Sequence, residues 1–239
     1  MTRSTPRTRG EELLLARISA AAGRAHLGRR LATHTTTAYR ARTRNGPFRP
    51  ARWLPALARY GRSPATRASP NARLDLYEHG LTVAVKGRIH VVRYDTTSVF
   101  RHRTRPRDSS PAGATLLHTL TDIEHKRLVL RGGPDGGDAR DWEHEIQRAV
   151  TRAQLPGALA TLHRGERVSF GDVWLSREHL GIGERCTPWA RVQRIGVVEG
   201  FLQLTVDGEW RRWGPPLPRI PNLFVFWALV ERCRTDGTH

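Results

Sequence analysis

The sequence predicts a mainly β protein of the α+β class. Two successive runs of short antiparallel strands, each closed by a C-terminal helix, follow a basic and largely irregular N-terminal arm. Three observations predict it. The hydrophobic pattern switches to period-two alternation at Arg73 and stays short-ranged from there on. Helical spacing then returns twice, after Asp138 and after Asn222, each time at the end of a strand run. Charge divides the chain at the same place. Residues 1–72 hold fifteen arginines against Glu11 and Glu12, and the rest supplies only +5 of the formal +18.

The arm, residues 1–72, carries one short amphipathic helix near 11–25, with Leu14, Ile18 and Ala21 or Ala22 at helical spacing. A helix of that length seldom persists alone in water. Beyond it the signals mix. Thr33–Thr37 has β character, Trp53, Leu57 and Tyr60 share a helical spacing, and prolines at 47, 50, 55, 64 and 70 interrupt the remainder. A loosely docked arm is the expectation. Biased codon usage accounts for arginine over lysine, but not for the missing acids.

From Arg73 the first run reads as strands over Leu74–Leu76 and Leu81–Val85, with a turn at Glu78–Gly80. Lys86–Gly87–Arg88 fits a three-residue hairpin loop, which sets Val85 opposite Ile89 and Val83 opposite Val91 on one buried face. Further strands are expected at 95–103, 114–122 and 126–131, with a loop at Arg105–Gly113. Asp138 is a good N-cap for a helix whose apolar stripe is Trp142, Ile146, Ala149, Val150 and Ala153, ended by Leu155–Pro156–Gly157. The second run follows at 167–175, 179–183, 191–199 and 201–206. Asp207–Gly208 then turns the chain into Glu209–Trp213. Asn222 caps a last helix, Leu223–Arg234, apolar almost all round and therefore buried.

The two runs echo one another. Glu78–His79–Gly80–Leu81 precedes a strand in the first, and Arg177–Glu178–His179–Leu180 in the second. Tyr94, Thr97 and Phe100 are spaced as Trp189, Val192 and Ile195 are. A strand ending in a Gly-Leu or His-Leu turn, a Pro188–Trp189 followed by spaced aliphatics, a hairpin, and a final helix opened by asparagine together resemble bacterial pleckstrin-homology-like (PH-like) domains. Residues 74–81, with Trp142 and Ile146–Val150, also resemble an uncharacterised PH-like family of high-GC bacteria. The resemblance implies two tandem PH-like modules, 73–156 and 164–235, each a twisted antiparallel barrel capped by a helix. It brings no catalytic residues.

Known chemistries find no foothold. Of the eleven histidines, no two have the i, i+4 spacing of a zinc protease helix. The glycine-rich stretch 132–137 lacks the Lys–Ser/Thr ending of a phosphate loop, and Asp135 and Asp138 would repel a phosphate. Cys186 and Cys233 show neither metal nor redox spacing. The expectation is a non-enzymatic protein without catalytic residues, metal or cofactor, and without a small-molecule substrate.

Binding surfaces are the better candidates. Arg101, Arg103, Arg105 and Arg107 recur at every second position and would form a row on one strand face. Lys86 and Arg88 make a basic hairpin tip, and in lipid-binding PH domains basic residues around the first hairpin grip phosphates. These six are the candidate anion-binding residues. Glu209–Trp213 interleaves aromatics with arginine, which makes Trp210 and Arg212 candidate partner contacts.

Hydrophobic residues are 38% of the chain, and with the glycines they reach the globular norm, which excludes a wholly disordered chain. The longest apolar run, Leu223–Val230, is far short of the roughly 20 residues a bilayer span needs. Leu13–Leu15 follows two acids and is broken by Arg17, which spoils a signal-peptide core. A cytoplasmic location is expected, with peripheral attachment at the inner membrane face as the alternative. The expected role is a scaffold for protein partners. Attachment to anionic membrane, or non-specific nucleic-acid binding through the basic arm, are the alternatives.

Overall fold

The computed structural model describes residues 8–41, 68–104, 115–132 and 139–236. It is mainly β, with a curled antiparallel sheet and a C-terminal helix. Helix α1 (Arg9–Arg24) opens with a capping box: the Thr8 hydroxyl accepts the Glu11 N–H, and the Glu11 carboxylate accepts the Thr8 N–H at 2.8 Å. Its buried side is Ile18, Ala21 and Ala22. Strands β1 (Arg30–Arg40), β2 (Ser69–Tyr77), β3 (Gly80–Val85), β4 (Arg88–Arg93), β5 (Val99–Thr104), β6 (Thr115–Thr121) and β7 (Arg127–Gly132) form one seven-stranded sheet in the order β4-β3-β2-β1-β7-β6-β5. The sheet curls until β4 meets the β6–β7 turn, where the Ile123 N–H donates to the Val91 carbonyl at 2.9 Å.

β1 corrects the expected division at residue 73. It is the central strand of the first sheet, pairing β2 on one side and β7 on the other, so residues 30–40 belong to the folded body. α1 belongs there too, because it packs across β3 and β4. Within β1 only Thr36 and Ala38 are buried. Threonine hydroxyls fix the rest: Thr33 donates to Asp75 at 2.6 Å, Thr36 to the Arg131 carbonyl and Thr37 to the Pro70 carbonyl. A strand held by its ladder and by hydroxyls shows no hydrophobic alternation. The remainder of the expected arm, residues 42–67, lies outside the described residues, as do 105–114 and 133–138.

The β3–β4 hairpin is also one residue tighter than expected. Lys86 and Gly87 take φ of 49° and 73° and form a two-residue turn. The register therefore pairs Val85 with Arg88, Val83 with His90 and Thr82 with Val91. A one-residue shift exchanges the faces of a strand. His90 and Val92 thus face inward with Val83 and Leu81, while Val91 and Ile89 join Tyr77, Ala21, Ala22 and Leu27 in a second cluster under α1. The outer face of this hairpin needs α1 as its cover.

Helix α2 (Ala139–His163) runs past its expected end and carries Pro156 in its interior. Proline removes one helical N–H, but Leu159 and Leu162 continue the apolar stripe beyond it; Leu162 is buried in the main core, and Leu155 and Leu159 pack against it. Next come β8 (Val168–Phe170), β9 (Val173–Leu175), β10 (His179–Ile182) and β11 (Arg185–Pro188), a four-stranded meander. The stretch 167–175, expected as one strand, is a hairpin turned at Gly171, whose φ is 69°. β12 (Val192–Val198), β13 (Phe201–Val206) and β14 (Glu209–Pro216) form a three-stranded sheet, followed by helix α3 (Leu223–Asp236).

Both halves therefore share one order: a four-strand meander, a three-strand meander, then a helix. In the first half β1 and β7 also pair, joining the two meanders. The halves are not separate bodies. One continuous apolar cluster runs from Ala38, Leu74, Val83, Trp142 and Ile146 to Phe170, Trp189, Leu204, Phe226 and Leu229, so the core crosses the boundary expected between 156 and 164.

Candidate anion-binding surfaces

The β3–β4 tip presents Lys86 and Arg88 to solvent. α1 adds a third cation, because the Arg17 guanidinium donates to the Gly87 carbonyl at 2.8 Å. Nothing in the sequence marks Arg17 for this place. Its partner lies seventy positions away, and only the docking of α1 across the hairpin brings the two together.

The arginine row fares differently. Arg101 and Arg103 alternate on β5, opposite His118 and Leu116. Arg105 and Arg107 lie outside the described residues. Arg101 is half-buried with its guanidinium 5.1 Å from the centre of the Phe224 ring on α3, a cation–π contact across the two halves. Burial pulls Arg101 below its ordinary pKa, and the nearby Glu143 carboxylate pulls it back up. This residue acts at the junction rather than on an open strand face. β4 and β5 stand at opposite ends of the sheet order, so tip and row are not on neighbouring strands. Trp210 and Arg212 are placed on β14, in register with Thr205 and Gln203.

Beneath Arg101 lies a group of buried polar side chains that no motif announces. Glu143 on α2 packs over Gly132, leaving no room there for a Cβ, and its carboxylate is 3.5 Å from His118 Nε2. The His118 ring meets Trp142 edge-on at 5.4 Å. His118 Nε2, Trp142 Nε1, Gln147 Nε2 and Arg101 Nε are all buried without a hydrogen-bond partner. The exposed side of α2 forms the wall of an open groove of about 500 Å³, lined by His144, Gln147, Arg148, Thr151, Arg152 and Phe224. A second depression shares His144 and Arg148 and adds Glu145 and His34, which face each other at 3.6 Å.

Two other buried acids are fully engaged. Asp75 accepts from Arg73 at 2.7 and 2.8 Å and from Thr33. Asp122 meets His90 Nδ1 at 2.9 Å and accepts the backbone N–H groups of Glu124 and Lys126. Both pin neighbouring strands and turns. No group of three or more His, Cys, Asp or Glu side chains suited to a metal ion occurs among the described residues. None of their helices is long and apolar enough to cross a membrane.

Fold and surface together define a mainly β chain with two helix-closed strand runs on one core and basic surfaces at a hairpin tip and along a helix. The family model of a family of unknown function, DUF6585, matches residues 71–238. The chain belongs to that family. No curated protein matches the chain.

Proposed function

We propose that this protein is a non-catalytic binding module, built from two fused PH-like halves, that docks a protein partner. The observation that carries the reading is the doubled order of four strands, three strands and a helix. The sequence echoes fall at corresponding places in it: His79–Leu81 enters β3 and His179–Leu180 enters β10, the third strand of each meander. PH-like folds serve widely as recognition scaffolds, and a scaffold keeps its core while its surface loops vary. Affinity capture of the full chain from its native host, followed by mass photometry of the reconstituted pair, tests the reading. A partner of fixed stoichiometry is expected. A strict monomer with no enriched protein overturns it.

A specific observation favours a second reading, attachment to anionic membrane through the β3–β4 tip. Arg17 joins Lys86 and Arg88 there, and each basic residue at such a surface contributes about 1 kcal/mol. Co-sedimentation with phosphatidylglycerol vesicles, abolished in the Lys86→Glu, Arg88→Glu variant, is the expected result. Equal binding to phosphatidylcholine vesicles would sink it.

A further inference from the structure

The geometry points to a binding site for a phosphate-bearing ligand in the groove between α2 and the start of α3. It lies on different elements from the hairpin tip and goes beyond the scaffold reading.

The first ground is the lining of the groove, which includes no acid. Gln147 lines the groove, is 8% exposed, and its Nε2 has no hydrogen-bond partner. Arg101 Nε is likewise buried without a partner, with its guanidinium held against Phe224, a residue of the same groove. Buried donors are normally paired, so these two mark a polar junction behind the groove wall; neither atom is open to solvent, and the contacts to a ligand come from the rim. Independent of these is the charge of the rim. Arg148 and Arg152 stand one helical turn apart on the exposed side of α2, and both line the groove. Like charges at that spacing mildly destabilise a helix, and an anion bound between them relieves the repulsion.

The acids near the groove do not cancel this charge. Glu143 is turned to His118 and Gly132, and Glu145 faces His34. Phosphate fits better than carboxylate because the donors outnumber two oxygens. The guanidiniums of Arg148 and Arg152 suit the terminal oxygens of a phosphate monoester, which arginine grips through paired N–H groups. The groove exceeds the phosphate itself, and Phe224, 37% exposed, offers an apolar wall to whatever carries it. Phe224 comes from the second half of the chain and the other groups from the first, so the site exists only because the halves are fused.

The test is a titration of the full chain with inorganic phosphate, followed by calorimetry at constant ionic strength against chloride. Saturable binding is expected, weakened about tenfold or more in the Arg148→Ala, Arg152→Ala variant, whose changes are on the surface. The Lys86→Glu, Arg88→Glu variant should bind phosphate as the parent does. Vesicles containing phosphatidate separate the sources of the phosphate. Retention that depends on Arg148 and Arg152 assigns a lipid headgroup, and phosphate saturation without retention assigns a soluble ester. Absence of saturable phosphate binding, or binding unchanged in the Arg148→Ala, Arg152→Ala variant, overturns the proposal. The scaffold reading is tested separately by partner capture and survives that outcome.

Discussion

Asp75 shows how a single buried charge ties β1, a strand that lacks apolar alternation, to its neighbour β2. Its side chain is fully buried on β2, yet the Arg73 guanidinium grips both its oxygens and Thr33 of β1 donates a hydroxyl to it. Removing one partner of such a pair leaves uncompensated donors in the protein interior. Asp75→Asn should therefore destabilise the protein by about 3 kcal/mol, a moderate figure because Arg73 is partly solvated. The urea midpoint checks it, and a change within experimental error would show that Thr33 and Arg73 find water instead. His102 makes a different prediction. Burial pulls its pKa below the ordinary 6.5, and its Nδ1 is buried without a partner. A folded-state value below the unfolded one means that the unfolded chain binds the proton first as pH falls. Stability is then intact above the unfolded value and declines as pH drops through about 6.5. His102→Gln should flatten that decline when urea midpoints are compared at about pH 7.5 and 5.5. Parallel slopes for parent and variant would contradict it.

At the scale of elements, β1 decides where the protein can be cut. It pairs with both β2 and β7, and its loss opens the seven-stranded sheet at the centre. A chain shortened to begin at Arg73 should fail to fold, and one beginning at Thr8 should fold, as far-ultraviolet circular dichroism and limited proteolysis will report. A folded product from Arg73 would mean that β2 and β7 pair directly. What the sequence revealed follows the same physics. Strands with one apolar face, such as Leu81–Val85, and turns that require positive φ, such as Asp207–Gly208 with φ of 54° and 83°, were legible because period and turn chemistry are local. β1 was legible only as the β character of Thr33–Thr37, not as a central strand, because it is held by hydroxyl bonds to distant residues; β11 was not legible, because Arg185–Pro188 has no alternation. The β3–β4 register was missed because Lys86 was not expected in the left-handed region. The candidate sites divide similarly. Lys86 and Arg88 are neighbours in sequence and stayed together, whereas Arg17 and the groove of Arg148, Arg152 and Phe224 are assembled by docking alone.

On the scale of the whole molecule, the seam between the halves is a designed joint rather than a linker. Asn222 was expected only as a helix cap, and its carbonyl does accept the Phe226 N–H of α3. Its side chain reaches the other half instead. Oδ1 accepts the Val99 N–H at 2.7 Å, and Nδ2 donates to the Thr97 carbonyl and to Gln154 Oε1 at 3.0 and 2.7 Å. The Asn222 N–H closes the ring by donating to the Val99 carbonyl, and Gln154 Nε2 donates to the Tyr94 and Thr97 carbonyls. Asparagine also suits the φ of 48° found there better than other side chains do. With α2 running through both halves and the main apolar cluster spanning them, the halves share their principal core. Urea unfolding should accordingly be one cooperative transition, seen at the same midpoint by tryptophan fluorescence and circular dichroism. Asn222→Ala removes three side-chain hydrogen bonds and leaves a left-handed residue strained. It should lower stability by about 3 kcal/mol while the transition stays single. Two resolved transitions in the parent chain would show that the halves fold independently. Two transitions in Asn222→Ala alone would place the whole coupling in this one side chain, against the shared core from which a single transition is expected.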